Sequence, residues 1–315
     1  KRKLRKRSNT TAKETHTAAT KGCTSMGKTV SQFLFEKDPD VTFGDCVAAA
    51  IFPWVLPLKG EYDAEELSKL RAKLNKLSNS GGTYGKNVSK NWDVEVVETA
   101  AAPGGVTVYL HTPKLKQTTD KSLPLVIWAH GGGFVSGEAR DGTGLGLFDA
   151  LPMPVAWASI EYRLAPEHPY PCAIQDVVAA VAHLRAPEIA DRFASVNLAG
   201  ISAGGGLALA AALELPETPP LHSVALLCPF IDPKADTPSY AEHGFRMNMG
   251  AFFRWCWKAY RDADPVLDRD DHVFATSALA ATPTLVFTSR GDPLHDEDVA
   301  LVKTLERNSS SSVVH

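Results

Sequence analysis

The sequence is poor in the features that mark several protein classes. Its 315 residues contain five scattered cysteines, an odd number with no C-x-x-C pair: Cys23, Cys46, Cys172, Cys228 and Cys256. A disulfide framework or a zinc site is therefore not expected, and this cysteine usage favours a reducing, cytoplasmic compartment. Hydrophobic residues make up 44% and charged residues 22%, which excludes a disordered polymer and is typical of a soluble globular protein.

Long apolar runs are also missing. The longest run with bulky side chains, residues 47–57, is interrupted by Pro53 and Pro57 and is far shorter than the ~20 residues that span a bilayer. We expect this segment to be buried or to belong to a lid, with transient contact with a membrane surface as the alternative. No apolar segment follows the basic start of the chain, so a secretory signal is not expected.

The net charge of −3 is unevenly distributed. Residues 1–30 are polar and rich in threonine, and they contain nine lysines and arginines against one acid, Glu14. We expect them to form a disordered basic tail, with a nuclear-localisation or anion-binding patch as the alternative. The rest of the chain carries the acidic excess, so no nucleic-acid binding is expected of the core.

A helix is predicted after the tail, inside an N-terminal lid segment that covers residues 31–90. Asp63-Ala-Glu-Glu66 has the capping-box pattern, in which an N-cap residue is followed by an acid three positions later. The leucines that follow have spacings of three and four and fall on one helical face: Leu67, Leu70, Leu74 and Leu77.

Residues 91–315 alternate between short apolar runs and helical patterns. The runs predict strands at residues 94–98, 106–110, 123–129, 155–160, 196–199, 224–227 and 284–287. Continuous apolar runs are typical of strands buried on both faces, and helices between them favour parallel pairing. We therefore predict an α/β fold with a mostly parallel central sheet and helices on both faces.

Residues 232–282 fit this alternation poorly and concentrate aromatic side chains: Phe252, Phe253, Trp255, Trp257 and Tyr260. We expect an insertion over the carboxyl edge of the sheet, which is where open α/β sheets bind ligands. Two roles stay open for these aromatic residues, because they can line a ligand site or pack a helix against the body.

Gly200-Ile-Ser-Ala-Gly204 lies between a predicted strand and a helix-prone run. This is the strand–turn–helix context in which G-x-S-x-G forms a nucleophile elbow. We expect Ser202 to project its hydroxyl at a helix N-terminus, whose dipole favours a developing anion. Ser202 is therefore the predicted nucleophile, and a chance Gly/Ser loop is the alternative.

His130-Gly-Gly-Gly-Phe134 directly follows another predicted strand. Successive glycines expose backbone N–H groups, and acyl transfer requires such donors at the carbonyl oxygen. The amides of Gly131, Gly132 and Ala203 are predicted to form an oxyanion hole, while His130 is expected to fix the loop rather than to transfer protons. No metal or organic cofactor is implied, because these groups suffice for acyl transfer.

These two loops, together with Glu161-Tyr-Arg-Leu-Ala-Pro-Glu-His-Pro-Tyr-Pro171 and Gly291-Asp-Pro-Leu294, resemble the motifs of the hormone-sensitive-lipase-like branch of the α/β-hydrolases. That branch includes carboxylesterases and arylacetamide deacetylases, and the resemblance extends over about residues 90–310. It implies an eight-stranded α/β-hydrolase core and a helical lid. It also implies hydrolysis of small-molecule esters with short to medium acyl chains through an acyl-enzyme intermediate.

The resemblance places the acid of a catalytic triad at Asp292, after the predicted strand at residues 284–287. This acid orients the catalytic histidine and stabilises the imidazolium that forms during the reaction. Asp296 and Glu297 are the alternatives, although both are also explained as charges at the start of a helix. His295 is expected to be exposed in the same turn.

The catalytic histidine is expected to be missing from this chain. In α/β-hydrolases it follows the acid, after a further helix and a last strand, and His315 falls at the start of that strand. We therefore expect His315 to be a strand residue and the core to be truncated before the base, which leaves Ser202 a poor nucleophile. The sequence predicts a serine carboxylesterase, inactive in this form, or a non-catalytic small-molecule-binding protein. The plant gibberellin receptors, which resemble these esterases but lack the histidine, are a precedent for the latter.

Overall fold

The computed structural model describes residues 58–78, 88, 90–99, 105–114, 123–215, 221–244, 248–261, 279, 282–308 and 313–314. Three subjects of the sequence predictions lie outside these residues: the basic tail at residues 1–30, the apolar segment at residues 47–57, and His315. The structure describes parts of the predicted lid segment and of the predicted insertion, and most of the predicted core.

An eight-stranded sheet runs through the described residues. Its strands are β1 (Trp92–Thr99), β2 (Val106–Pro113), β3 (Pro124–Ala129), β4 (Ala156–Glu161), β5 (Ser195–Ile201), β6 (Ser223–Leu227), β7 (Thr284–Phe287) and β8 (Val313–Val314). They lie in the order β1-β2-β4-β3-β5-β6-β7-β8. β2 is antiparallel to both of its neighbours and every other pair is parallel. The predicted α/β class with a mostly parallel sheet is confirmed.

Helices connect the strands of this sheet. Those of the described residues include α1 (Ala64–Ser78), α2 (Gly142–Asp149), α3 (Cys172–Leu184), α4 (Pro187–Ala190), α5 (Ala203–Glu214), α6 (Pro238–His243), α7 (Met249–Arg261) and α8 (His295–Asn308). In this part of the chain, no helix combines the length and the hydropathy that crossing a bilayer requires.

The central strands are apolar on both faces because core residues pack on both. In β3, Leu125 and Ile127 are buried in the larger core cluster, to which α3 and α5 contribute their apolar residues. Trp128 is buried in a second cluster together with Leu145 and Phe148 of α2. Successive side chains of a strand point to opposite faces. The continuous apolar run in the sequence is therefore explained by a covering layer on each side.

Helix α1 begins with the predicted capping box. The Glu66 N–H donates to Asp63 Oδ1 at 2.8 Å, and the Asp63 N–H donates to Glu66 Oε2 at 3.4 Å. Leu67 and Leu70 are buried in the larger core cluster, and the later leucines of the same face are partly buried against it. The apolar face of α1 thus holds this helix, and its single arginine Arg71, on the body.

The carboxyl ends of the parallel strands meet at one edge of the sheet, and α7 packs on the loops that follow them. Phe134, after β3, stacks on Tyr260 with ring centroids 4.2 Å apart, and Phe230, after β6, lies 4.8 Å from Trp257. Phe252, Phe253 and Trp255 are also buried in the core. Of the two roles left open for the aromatic residues of the insertion, packing a helix against the body is the one that the structure shows.

Candidate active site

Ser202 lies in a sharp turn between β5 and α5. Its φ is +52°, a left-handed conformation that is uncommon for a residue other than glycine. The flanking glycines permit this turn: a Cβ on Gly200 would overlap the Gly204 carbonyl, and a Cβ on Gly204 would overlap the carbonyl oxygens of Ala129 and His130. The G-x-S-x-G pattern therefore has its expected physical basis, a close approach of strand and helix backbones.

The backbone of Ser202 is held on two sides while its hydroxyl is left unpaired. Its N–H donates to the Leu227 carbonyl at 2.8 Å, and its own carbonyl accepts from the N–H groups of Phe230 and Gly206 at 2.9 and 3.0 Å. Ser202 is 4% exposed, and its Oγ has no hydrogen-bond partner among the described residues. A buried polar atom without a partner is costly, and such atoms in native folds call for a reason such as catalysis.

The predicted oxyanion loop lies against Ser202. A Cβ added to Gly131 would be 3.5 Å from Ser202 Cβ, so the two backbones are neighbours. The Gly132 carbonyl accepts from the N–H groups of Val135 and Ser136 at 3.2 and 3.0 Å, which closes a tight turn. Ala203 is the first residue of α5. The structure thus brings together Gly131, Gly132 and Ala203, the three residues whose amides the sequence singles out.

His130 is part of the frame of this loop. It is buried, its Nδ1 lies 2.8 Å from the Gly131 carbonyl oxygen, and its ring stacks on Tyr162 with centroids 4.1 Å apart. The Tyr162 hydroxyl donates to the His130 carbonyl at 2.7 Å. Burial lowers the pKa of His130 to about 4, so its imidazole is neutral near pH 7. These contacts support the expectation that His130 fixes the loop.

Asp292 follows β7 at the same edge of the sheet. Its side chain is 8% exposed, and its Oδ1 accepts from the Leu294 N–H at 2.9 Å. Its backbone N–H donates to the Ser289 carbonyl at 3.1 Å, and its carbonyl accepts from the His295 N–H at 3.1 Å. A closed turn between β7 and α8 therefore holds a buried carboxylate at the edge that also bears Ser202.

The comparison with protein families decides the identity of the fold. The sequence model of the family described as the alpha/beta hydrolase fold matches residues 126–315, which is more than half of the chain and contains Ser202, both loops and Asp292. The chain belongs to this α/β-hydrolase family. The resemblance that the motifs indicated is confirmed.

Relatives of this α/β-hydrolase include known esterases. The chain is 29% identical over 201 residues to carboxylesterase NlhH of Mycobacterium tuberculosis, covering 58% of this chain and 61% of that protein. It is 29% identical over 193 residues to arylacetamide deacetylase of Oryctolagus cuniculus, covering 56% and 47%. The structure of a bacterial heroin esterase matches with a TM-score of 0.67 at 26% identity, over 87% of each chain. The chain thus spans about half to three fifths of the length of these curated relatives.

The two alternative acids of the α/β-hydrolase turn have other partners. Asp296 Oδ2 accepts from the Ser239 N–H of α6 at 2.7 Å. Glu297 Oε1 accepts from the Ile231 N–H at 2.9 Å, and Oε2 accepts from the Tyr240 hydroxyl at 3.3 Å. Asp296 and Glu297 both lie in the first turn of α8, as expected of acids at the start of a helix. Burial raises the pKa of Glu297 well above its ordinary value.

The sequence did not predict the environment of His295 or the role of Ser239 near this turn. His295 is half-buried rather than exposed, because it begins α8 with its Nδ1 3.1 Å from Thr288 Oγ1. Sequence reasoning missed Ser239, whose hydroxyl donates to the Pro293 carbonyl at 2.6 Å and so ties α6 to the residue after Asp292. No local pattern signals a contact between residues 54 positions apart. Among the described residues, no three His, Cys, Asp or Glu side chains are arranged to bind a metal ion.

Replacing Gly132 by alanine tests the oxyanion loop of the full-length protein. Its φ is +125°, and a Cβ there would overlap the Ser136 carbonyl, so the turn must open and displace the loop amides. We expect kcat to fall about 10²-fold with little change in KM, because these amides act mainly in the transition state. Gly131→Ala is the control with the smaller expected loss, since its Cβ would lie 3.2 Å from the nearest atom. An unchanged kcat in Gly132→Ala, with unchanged thermal unfolding, would contradict the assignment.

Proposed function

We propose that this chain provides the nucleophile, oxyanion hole and acid of a serine carboxylic-ester hydrolase. The observation that carries the proposal is the unpaired, buried hydroxyl of Ser202, held on a strained turn at the N-terminus of α5 beside Gly131. A hydroxyl in that place lies next to the backbone of the oxyanion loop and at the positive end of a helix dipole. Both stabilise negative charge on a carbonyl oxygen under attack.

The reaction follows from these positions. Ser202 Oγ attacks the ester carbonyl and gives its proton to a histidine that Asp292 orients. The amides of Gly131, Gly132 and Ala203 stabilise the tetrahedral oxyanion. The intermediate then collapses: the bond to the alcohol breaks, the histidine protonates the leaving alkoxide, and an acyl-enzyme remains. Water, activated by the same histidine, hydrolyses the acyl-enzyme and restores Ser202.

We place the base after β8, in keeping with the order Ser, Asp, His of this fold. Seven histidines fall within the described residues: His111, His130, His168, His183, His222, His243 and His295. Among the described residues Ser202 Oγ has no hydrogen-bond partner, so none of these histidines is bonded to it. His130 is neutral and lies within the loop frame, and His295 faces Thr288.

Esters with short to medium acyl chains are the proposed substrates. The similarity to a carboxylesterase and to a bacterial heroin esterase supports an ester substrate. The packing of α7 supports a small acyl group, because Cys256 and Phe252 lie against Gly133 in the oxyanion loop. We infer that these contacts restrict the size of the acyl group that fits beside the oxyanion loop.

A panel of p-nitrophenyl esters from acetate to laurate tests this proposal on the full-length protein. We expect kcat/KM to be highest for the short and medium acyl chains and to fall for laurate. Mass spectrometry after rapid acid quenching should find the acyl group on Ser202, because the mechanism passes through an acyl-enzyme. Binding of esters without hydrolysis or acylation would overturn the proposal and favour the non-catalytic small-molecule-binding protein.

A further inference from the structure

Arg71 of helix α1 donates four hydrogen bonds to segments far away in sequence. Its Nε donates to the Val135 carbonyl at 2.7 Å, and its Nη2 donates to the Ala165 carbonyl at 2.9 Å. Nη1 and Nη2 also donate to the two carboxylate oxygens of Glu167 at 2.8 and 2.7 Å. One guanidinium thus joins α1 to the loop after β3 and to the loop after β4.

The two carbonyls belong to a connected structure at the oxyanion loop. Val135 closes the tight turn through its N–H bond to the Gly132 carbonyl, and the Ala165 N–H donates to the neighbouring Phe134 carbonyl at 2.9 Å. The loop after β3 is therefore hydrogen-bonded directly to the loop after β4. Arg71 binds one carbonyl from each loop next to that hydrogen bond. A movement of Arg71 changes the support of the turn that presents the Gly131 and Gly132 amides.

We propose that Arg71 is a positioning residue for the oxyanion hole and couples helix α1 to the placement of the Gly131 and Gly132 amides. This inference rests on the proposed function of those amides in ester hydrolysis. The planar fork of arginine suits the task, because its rigidly spaced N–H donors reach two carbonyls and both oxygens of a carboxylate at once, whereas the ammonium of lysine is a single point with three donors. Small displacements of groups that act on the transition state cost large factors in rate.

We do not expect the ion pair with Glu167 to be what positions the oxyanion hole. Glu167 is 54% exposed, and ion pairs in contact with solvent contribute little to stability. The two carbonyls, in contrast, lie in part-buried contacts and lose a charged donor if Arg71 is shortened. Helix α1 has further supports, the capping box and the buried Leu67 and Leu70, so it is expected to stay on the body without Arg71.

Two variants of the full-length protein separate these contributions. Arg71→Lys keeps the positive charge and loses the fork, whereas Glu167→Gln weakens the ion pair and keeps the bonds to both carbonyls. For Arg71→Lys we expect kcat to fall about 10-fold with KM within a factor of about two, since the ground state does not depend on the amides. For Glu167→Gln we expect kcat and KM close to those of the wild type.

Hydrogen exchange gives a second measurement that does not depend on activity. In Arg71→Lys, the peptide spanning residues 130–139 should exchange faster than in the wild type, because the turn amides of Val135 and Ser136 lose support, and peptides from β5 and α5 should not change. The inference is overturned if kcat is unchanged, if KM rises in proportion to the loss of kcat, or if exchange rises throughout the protein.

The exchange data also separate this inference from the proposed function. If the wild type shows no ester hydrolysis, the proposed function fails, and the exchange of residues 130–139 alone decides whether Arg71 holds the loop. Faster local exchange in Arg71→Lys would then support the coupling between α1 and the loop. Unchanged exchange would overturn it.

Discussion

Replacing Ser202 by alanine is expected to lower kcat for p-nitrophenyl acetate by ~10⁶-fold, the loss typical of removing a triad nucleophile. The substitution deletes the only atom that can form the acyl-enzyme and leaves the oxyanion amides in place. Steady-state kinetics on the full-length protein, together with mass spectrometry of the acylated peptide, measures the loss. Retention of most of the activity would show that another group attacks the ester.

Stability provides an independent check on the same variant. The Ser202 hydroxyl is buried without a partner, so deleting it removes a desolvation cost, and the midpoint of thermal unfolding should stay the same or rise. Ser223→Ala is a matched control at the opposite, amino end of the sheet, where the hydroxyl donates to Asn197 Oδ1 at 2.8 Å. We expect that variant to keep its activity, because no group of the candidate site contacts it.

The sheet could be predicted from sequence because buried parallel strands leave a local signal. A strand covered on both faces must be apolar at nearly every position, and β7 was predicted with the same bounds as observed, Thr284–Phe287. The ends of other elements were less accurate. Strand β1, predicted at residues 94–98, extends over Trp92–Thr99, because its backbone pairing with β2 continues beyond the apolar pattern at both ends.

The local turns of the site could also be predicted, whereas contacts between distant segments could not. Gly200 is required by the close approach of its backbone to the Gly204 carbonyl within the same turn, so this glycine spacing is visible in the sequence. Arg71 contacts carbonyls 64 and 94 residues away, and its place in an amphipathic helix looks like that of any surface arginine. The aromatic residues of α7 stayed ambiguous because lining a site and packing a helix demand the same side chains.

The structure separates the three candidate acids of the triad by their contacts. Three carboxylates lie within six residues, and the sequence alone separates them only by resemblance. Asp296 is held by the Ser239 N–H, and Glu297 is buried against Ile231 and Tyr240 with a raised pKa. The Glu297 carboxyl is thus already bound by a backbone N–H and a tyrosine hydroxyl, and its burial disfavours the charged form that would stabilise an imidazolium. Asp292 lies in the turn directly after β7.

Replacing Asp292 by asparagine is accordingly expected to lower kcat by ~10⁴-fold in the full-length protein, because the histidine loses the acceptor that fixes its tautomer and orientation. Glu297→Gln is the matched control: glutamine keeps a side-chain oxygen that can accept from the Ile231 N–H, so activity should remain within about 10-fold of the wild type. For Asp296→Asn we also expect activity within about 10-fold of the wild type, since the contact of Asp296 with the Ser239 N–H attaches helix α6. Steady-state kcat values of all three variants with p-nitrophenyl acetate identify the acid of the triad. If Asp296→Asn shows the ~10⁴-fold loss and Asp292→Asn does not, the acid of the triad is Asp296, and the turn after β7 supports the site without taking part in the proton transfer.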